Sequence, residues 1–305
     1  MTAHSLAVDV GGTKVEAALV DEGGHLVPGS RTRRATGRGS SAPELELAVT
    51  ETVVEAVAAL PDGHRLVSAG IGSAGPVDVV EGRVSPINLP AWRGYPLARL
   101  VADCAGLDAD AVVLRLDGQC IALAEHRLGA LRPYGNALGM VVSTGIGGGL
   151  IVEGRLVPGT TGNAGHLGQT LLGDPDTGVV STLEELASGT AIVGWARRQG
   201  WSGADGQELA MAYREGHPIA MAAVERCGVA IGRAVLSAAA LVDLEAVAIG
   251  GGFAKVTPDL FAIIERTIRE ESPLASIVVV VHPAELGDDA PLLGAASLVT
   301  GRPPA

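Results

Sequence analysis

Short apolar stretches broken by glycine pairs set the pattern of the chain. Leu6-Ala7-Val8-Asp9-Val10 meets Gly11-Gly12, and Val15-Glu16-Ala17-Ala18-Leu19-Val20 follows at once. That spacing predicts a β-hairpin with little side-chain bulk at its turn. After a second turn at Asp21–Gly24, His25-Leu26-Val27 predicts the start of a third strand. Residues 31–43 are polar and Gly/Ser-rich and predict a loop. Leu45, Leu47, Val49, Val53, Val54, Val57 and Leu60 recur at helical spacing. A buried strand over 66–72, a hairpin and loop over 79–92 and a short helix over 96–105 come next. A strand over 111–116 then runs into a helix from 119 to 128.

The second half repeats the opening device. Leu138–Ser143 is a strand, Thr144–Gly149 a glycine turn and Leu150-Ile151-Val152 a return strand. Helical apolar patterns cover 190–199 and 219–242. A strand ending at Ile249 runs into Gly250-Gly251-Gly252, then a helix over 258–271, a strand over 277–281 and a small-residue helix from Pro291. Two similar halves of strands and helices predict α/β domains with mixed sheets.

Composition narrows the classes. The 305 residues suffice for two ordinary domains, and 47 % apolar residues fill a core without disulfides. A net charge of −12 argues against a nucleic-acid surface, and Arg31-Thr32-Arg33-Arg34 reads as a short solvated loop. Cys104, Cys120 and Cys227 lie far apart, with no CxxC pair for zinc or a disulfide framework. The start Met-Thr-Ala-His-Ser lacks a basic leader, and the longest apolar run, 227–242, is broken by Arg233. A cytoplasmic protein with no membrane partner is the expectation.

Chemistry gathers at the glycine turns. Bare backbone N–H groups at Gly11, Gly12 and Thr13 can converge on an anion, and Asp9 just before them can hold the Mg²⁺ that accompanies a polyphosphate. The dense glycines of Thr144-Gly145-Ile146-Gly147-Gly148-Gly149 offer a second such grip. Gly250, Gly251 and Gly252 suit close approach by a nucleotide base or ribose. Gly70-Ile71-Gly72-Ser73-Ala74-Gly75 fits the dinucleotide pattern GxGxxG, but Pro76-Val77-Asp78 stops the helix that pattern needs, and Tyr95 stands near the required acid's place. Asp117, at a strand end leading into a helix, fits a functional acid and an N-cap equally well.

Taken together, these residues resemble the ROK family of sugar kinases, within the actin-like, hexokinase-like superfamily. Asp9–Lys14 is similar to its first phosphate motif and Ser143–Gly149 to the second. Gly70–Asp78 and Asn88-Leu89-Pro90-Ala91-Trp92 resemble its sugar-side loops. Gly162–Gln169 resembles GxAGExGH, Leu183–Gly189 resembles CLExxASG, and Glu245–Gly252 resembles the adenosine strand and turn. The resemblance implies a two-lobed actin-like (ribonuclease H-like) fold. The smaller lobe would take 1–115 with a terminal helix at about 291–305, and the larger lobe 116–290. It implies ATP and Mg²⁺ as cofactors, a sugar as the small-molecule partner, a homodimer, and transfer of the γ-phosphoryl group to a hexose 6-hydroxyl. Asp117 takes the place of the catalytic base. Asp9 (to Mg²⁺, directly or through water), Gly11, Gly12, Thr13, Lys14, Thr144, Gly145, Gly147, Gly148 and Gly250–Gly252 would hold the nucleotide. Gly75, Asn88, Leu116, Asp117, Gly145, His166, Gln169 and Glu184 would line the sugar.

The chain also departs from the family. In its NDAN motif the first Asn is Leu116 here and the second is Gln119. The ExGH Glu is His166 and its His is Gln169, and the CxCGxxGC zinc segment, at 171–182, has no cysteine. No structural zinc is expected, and local packing around Leu171, Leu172, Val179 and Val180 is expected to substitute. The changes at 116 and 166 suit an altered ring substituent, which makes an amino-hexose such as kanosamine a candidate beside glucose, with a cyclitol or a non-catalytic sugar sensor as alternatives. A transcriptional regulator fits less well, since only eight residues precede Asp9.

Overall fold

The computed structural model describes residues 2–272 and 277–300. The first strands are β1 (Ala3–Val10), β2 (Lys14–Val20) and β3 (Thr32–Ala35), followed by α1 (Ala42–Ala58) and β4 (Arg65–Ser73). A small hairpin, β5 (Val77–Asp78) and β6 (Arg83–Val84), precedes α2 (Leu97–Ala105), β7 (Val112–Leu116) and α3 (Asp117–Leu128). β5, and no helix, follows the Gly70–Gly75 run, as Pro76 requires.

The second series is β8 (Ala137–Val142), β9 (Ile146–Val152), β10 (Arg155–Leu156), the hairpin β11 (Leu171–Gly173) and β12 (Val180–Thr182), and α4 (Leu183–Ala187). Then come α5 (Gly189–Arg198), α6 (Gly206–Arg214), α7 (Pro218–Val242), β13 (Ala246–Gly250), α8 (Asp259–Glu271), β14 (Val280–Pro283) and α9 (Ala290–Ser297). The terminal helix expected over 291–305 therefore closes at Ser297, and 301–305 lie outside the described residues. Among the described residues no helix is long and apolar enough to cross a membrane.

Two five-stranded mixed sheets share one plan. Their orders are β3-β2-β1-β4-β7 and β10-β9-β8-β13-β14, each with an antiparallel hairpin at one side and parallel strands at the other. The repeated strand, glycine turn, strand device thus opens both sheets. The fold is the two-domain actin-like α/β fold.

The described residues divide into two compact units: 2–128 with 157–165 and 288–300, and 129–156 with 166–272 and 277–287. The expected division at 115 falls short, because α3 packs on α9. A Cβ at Gly294 would stand 1.9 Å from the Cys120 carbonyl oxygen, so glycine lets the two helix backbones touch. Segment 157–165 joins the first unit through two side chains. Gln119 Nε2 donates to the Ala164 carbonyl at 2.8 Å, and Asn163 pairs with both backbone groups of Val77, at 3.0 and 2.8 Å.

Period-two alternation explains the first sheet. Leu6, Val8 and Val10 enter the core formed with α1 and α2, while Ala7 joins Cys120, Leu292 and Ala295 on the opposite face. Asp9 shares the Ala7 face, the face that carries the N-terminal end of α3.

Three expectations are corrected. The 31–34 segment is no solvated loop: it carries the edge strand β3, and Arg31 just before it and Arg33 within it both reach the buried Glu16. The third strand is therefore at 32–35, and Leu26 makes only an isolated bridge to Val20. The apolar packing expected around the 171–182 hairpin is largely missing, since Leu171, Val179 and Val180 are each more than 60 % exposed and of the four Leu172 alone rests on the core.

Candidate active site

In the first unit the candidate residues gather at the β1–β2 turn. Gly11 N–H donates to the Lys14 carbonyl at 2.9 Å, and Thr36 ties the turn from outside, its hydroxyl donating to the Gly11 carbonyl at 2.8 Å. A Cβ on Gly12 would stand 2.3 Å from Asn88 Nδ2. Glycine there lets the Asn88 amide lie directly on the turn, so a residue expected on the sugar side also covers the first phosphate motif.

Asp9 is 5 % exposed at the end of β1. Burial lifts its carboxyl to about 7, the neighbouring Asp117 carboxylate adds to the rise, and Lys14 opposes it. Lys14 does not neutralise Asp9 because its Nζ lies 2.5 Å from Glu16 Oε2. Glu16 also draws Arg33 Nε at 3.1 Å and Arg31 Nη2 at 3.4 Å, and Arg31 continues to Asp289. Burial alone would raise the Glu16 carboxyl, yet this ring of cations holds it below the usual range. Lys14, expected on the phosphates, is thus drawn to a carboxylate that a single-motif reading does not reveal.

Asp117 begins α3, where its Oδ1 accepts the Gly118 N–H at 2.7 Å. Leu116, the residue before it, is buried, and a Cβ on Gly75 would fall 2.3 Å from its Cδ2. Leu116 and Gly75 therefore meet each other, and Leu116 belongs to the buried apolar core of the first unit. Gln119 is fully buried and serves the 157–165 segment instead of a ligand.

In the second unit the turn is shorter than its glycines suggest. Gly147 and Gly148 lie within β9, paired with Val141 and Met140 of β8. The expectation of a loop through Gly149 is corrected: Gly147, Gly148 and Gly149 continue the strand, in register with Val141, Met140 and Gly139 of β8. Thr144 and Gly145 remain in the turn. Glu184 covers it, accepting the Ile146 N–H at 2.8 Å, and a Cβ on Gly145 would stand 2.5 Å from Glu184 Oε2. His166 is half-buried; burial lowers its pKa and the Glu184 carboxylate pulls it back in part, so it is neutral near pH 7. Gln169 is exposed in the short turn 167–169.

Glycine backbones also shape a cavity of about 900 Å³ in this unit. Gly251 has φ +99°, and a Cβ there would stand 2.4 Å from the Val142 carbonyl oxygen; at Gly189 it would stand 2.8 Å from that of Ser143. Thr144, Thr190, Gln207, Gly252, Phe253 and Lys255 line the space. Its volume suits a drug- or nucleoside-sized ligand. Gly252, one of the three glycines expected on the nucleotide, lines this cavity; Thr190, Gln207 and Phe253 were not expected there, because nothing in their local pattern marks them.

The model of the ROK family matches residues 5–302. An N-acetylmannosamine kinase of Salmonella typhi is 32 % identical over 303 residues, covering 97 % of this chain and 98 % of that protein. A ROK hexokinase structure from Thermus thermophilus is 30 % identical with a TM-score of 0.80, covering 97 % of each chain. A ROK glucokinase from Streptomyces griseus, solved with glucose and AMPPNP, is 29 % identical with a TM-score of 0.79, covering 97 % of this chain and 98 % of that one.

Proposed function

The chain belongs to the ROK family, and from that membership we propose that it is an ATP-dependent sugar kinase that phosphorylates the 6-hydroxyl of a hexose or amino-hexose. The observation that carries the reading is the pair of carboxylates on one face of the first sheet: Asp117 at the start of α3, coupled electrostatically to the buried Asp9 beside a glycine turn.

Each carboxylate has a separate task. Asp117 accepts a hydrogen bond from the sugar 6-hydroxyl, orients it, and takes its proton as the phosphoryl group arrives, a contribution of roughly 10²- to 10⁴-fold. Asp9 is the residue that would hold Mg²⁺, directly or through water; a single carboxylate beside nucleotide phosphates is a common way of binding that ion. Its upward-shifted carboxyl fits that task, because a buried acid without a neutralising partner is stabilised when a cation arrives. Mg²⁺, when bound, neutralises phosphate charge. The candidates for phosphate contact are the Gly11–Thr13 amides in the first unit and the Thr144 and Gly145 amides in the second, and the second-unit cavity is the candidate for the nucleoside. Nucleotide binding of this kind is supported by the Streptomyces griseus relative solved with AMPPNP.

Substrate choice follows from Leu116 and His166. A site that offers Leu116 where an amide would bond a ring hydroxyl leaves that hydroxyl unpaired, which costs more than a lost hydrogen bond. Neutral His166 can donate or accept. Both features favour a sugar with a changed ring substituent, such as kanosamine or N-acetylmannosamine, over plain glucose, and the Salmonella relative's N-acetylated substrate supports that direction. The test is coupled ADP release with glucose, mannose, N-acetylmannosamine, glucosamine and kanosamine. A kcat/KM at least about tenfold higher for one of the amino sugars than for glucose is expected. A strong glucose preference would overturn the specificity reading, and turnover of none of the five would overturn the kinase reading.

A further inference from the structure

Resemblance to the family implies a structural zinc ion at the 171–182 segment. The donor set does not fit it. The segment has neither cysteine nor histidine, Gln169 stands in place of the ExGH histidine just before it, and among the described residues no three His, Cys, Asp or Glu side chains are grouped to hold a metal.

A cation of another kind is there. Arg226, on α7, has a buried side chain whose Nη2 lies 2.5 Å from Asp174 Oδ2 and whose Nη1 lies 2.8 Å from Asp176 Oδ2. Both carboxylates belong to the tip of the β11–β12 hairpin. Trp195, on α5, donates its indole N–H to the same Asp176 oxygen at 2.7 Å, and the guanidinium lies 5.6 Å from the centre of the indole ring. Asp174 Oδ1 in turn accepts the N–H groups of Asp176 and Thr177, which folds the tip around the charge.

We propose that Arg226 replaces the zinc ion as the clamp of this hairpin, and is thereby a positioning residue for His166 and Glu184. The hairpin lies between them in the chain. Its base is closed by the Leu183 N–H donating to the Thr170 carbonyl at 2.8 Å, a few residues after His166 and one before Glu184. With Leu171, Val179 and Val180 exposed, the hairpin has little apolar packing of its own to fix it. A planar guanidinium holds two carboxylates in fixed directions, as a point-charge ammonium cannot. The inference rests on the sugar-kinase reading for its effect on substrate, but the clamp itself is a structural claim that stands apart from activity.

Hydrogen exchange followed by mass spectrometry on the full chain tests the clamp, with steady-state kinetics alongside. In Arg226→Met, amides over 171–182 should exchange about tenfold faster or more, while β8 and β13 keep their protection. Sugar KM should rise about tenfold while ATP KM stays within about twofold, because the cavity residues keep their packing. Arg226→Lys should fall between the two, restoring charge without the fork. Asp176→Asn, a half-exposed position, carries the same test if Arg226→Met does not fold, and should show the same local loss of protection.

Unchanged protection of the hairpin in these variants would overturn the proposal, as would sugar and ATP KM rising together. So would stoichiometric zinc in the purified wild-type protein by elemental analysis. If the wild-type protein turns over none of the sugars, the kinase reading fails, and the exchange data still decide the clamp.

Discussion

Replacing Asp9 by Asn should stabilise the protein while abolishing its activity. Burial and the neighbouring Asp117 carboxylate raise the Asp9 pKa from 3.8 to about 7. In the unfolded chain the group ionises near its ordinary value, so the native state binds the proton more tightly. Stability from this residue is complete below about pH 4, declines as pH rises, and is lost by about pH 7. A shift of about three units at 1.36 kcal/mol each gives about 4 kcal/mol at most. Asn keeps the shape and never ionises, so the variant avoids that cost. Urea unfolding at a series of pH values from about 3.5 to 8.5, read by far-ultraviolet circular dichroism, measures it. The Asn variant should match the wild type at the acid end and gain steadily to a plateau of about 2–4 kcal/mol above neutrality. A variant equal to or weaker than the wild type at pH 8, or a difference independent of pH, would refute the desolvated-carboxylate reasoning.

Two further predictions concern the second unit. Gly251→Ala places a Cβ 2.4 Å from the Val142 carbonyl at a φ of +99°, and should lower stability by about 1–3 kcal/mol and raise ATP KM, as thermal unfolding and kinetics would show; wild-type values for both would remove Gly251 from the site. Glu184→Ala leaves the Ile146 N–H without its acceptor, and should cost about 1.5–3 kcal/mol and raise sugar KM more than ATP KM; an unaltered sugar KM would confine Glu184 to holding the turn.

Local pattern revealed what rests on local chemistry. The β1–β2 hairpin, the repeated device at β8–β9, the strand leading to Gly250 and the apolar α7 all followed from periodicity and glycine placement. Edge and surface elements were hidden. β3 is polar because an edge strand faces solvent, and α6 buries Leu209 alone among its nine residues, too little for a visible stripe. Gly147 and Gly148 misled because glycine density marks both a bare turn and a close-packed strand. The site's long-range partners were hidden for a different reason. Glu16 reads as one polar position in an apolar strand, and its cations come from Lys14 and from an edge strand that the pattern did not predict. Arg226 reads as one of three charges in a long helix, and only the folded chain brings it to Asp174 and Asp176.

The most direct test of the account is turnover by Asp117→Asn, measured with the preferred sugar beside sugar binding by calorimetry. The amide keeps the side chain's shape at the head of α3 but cannot accept a proton. The account predicts a kcat lower by roughly 10²- to 10⁴-fold with sugar affinity largely retained. A kcat close to that of the wild type would contradict it.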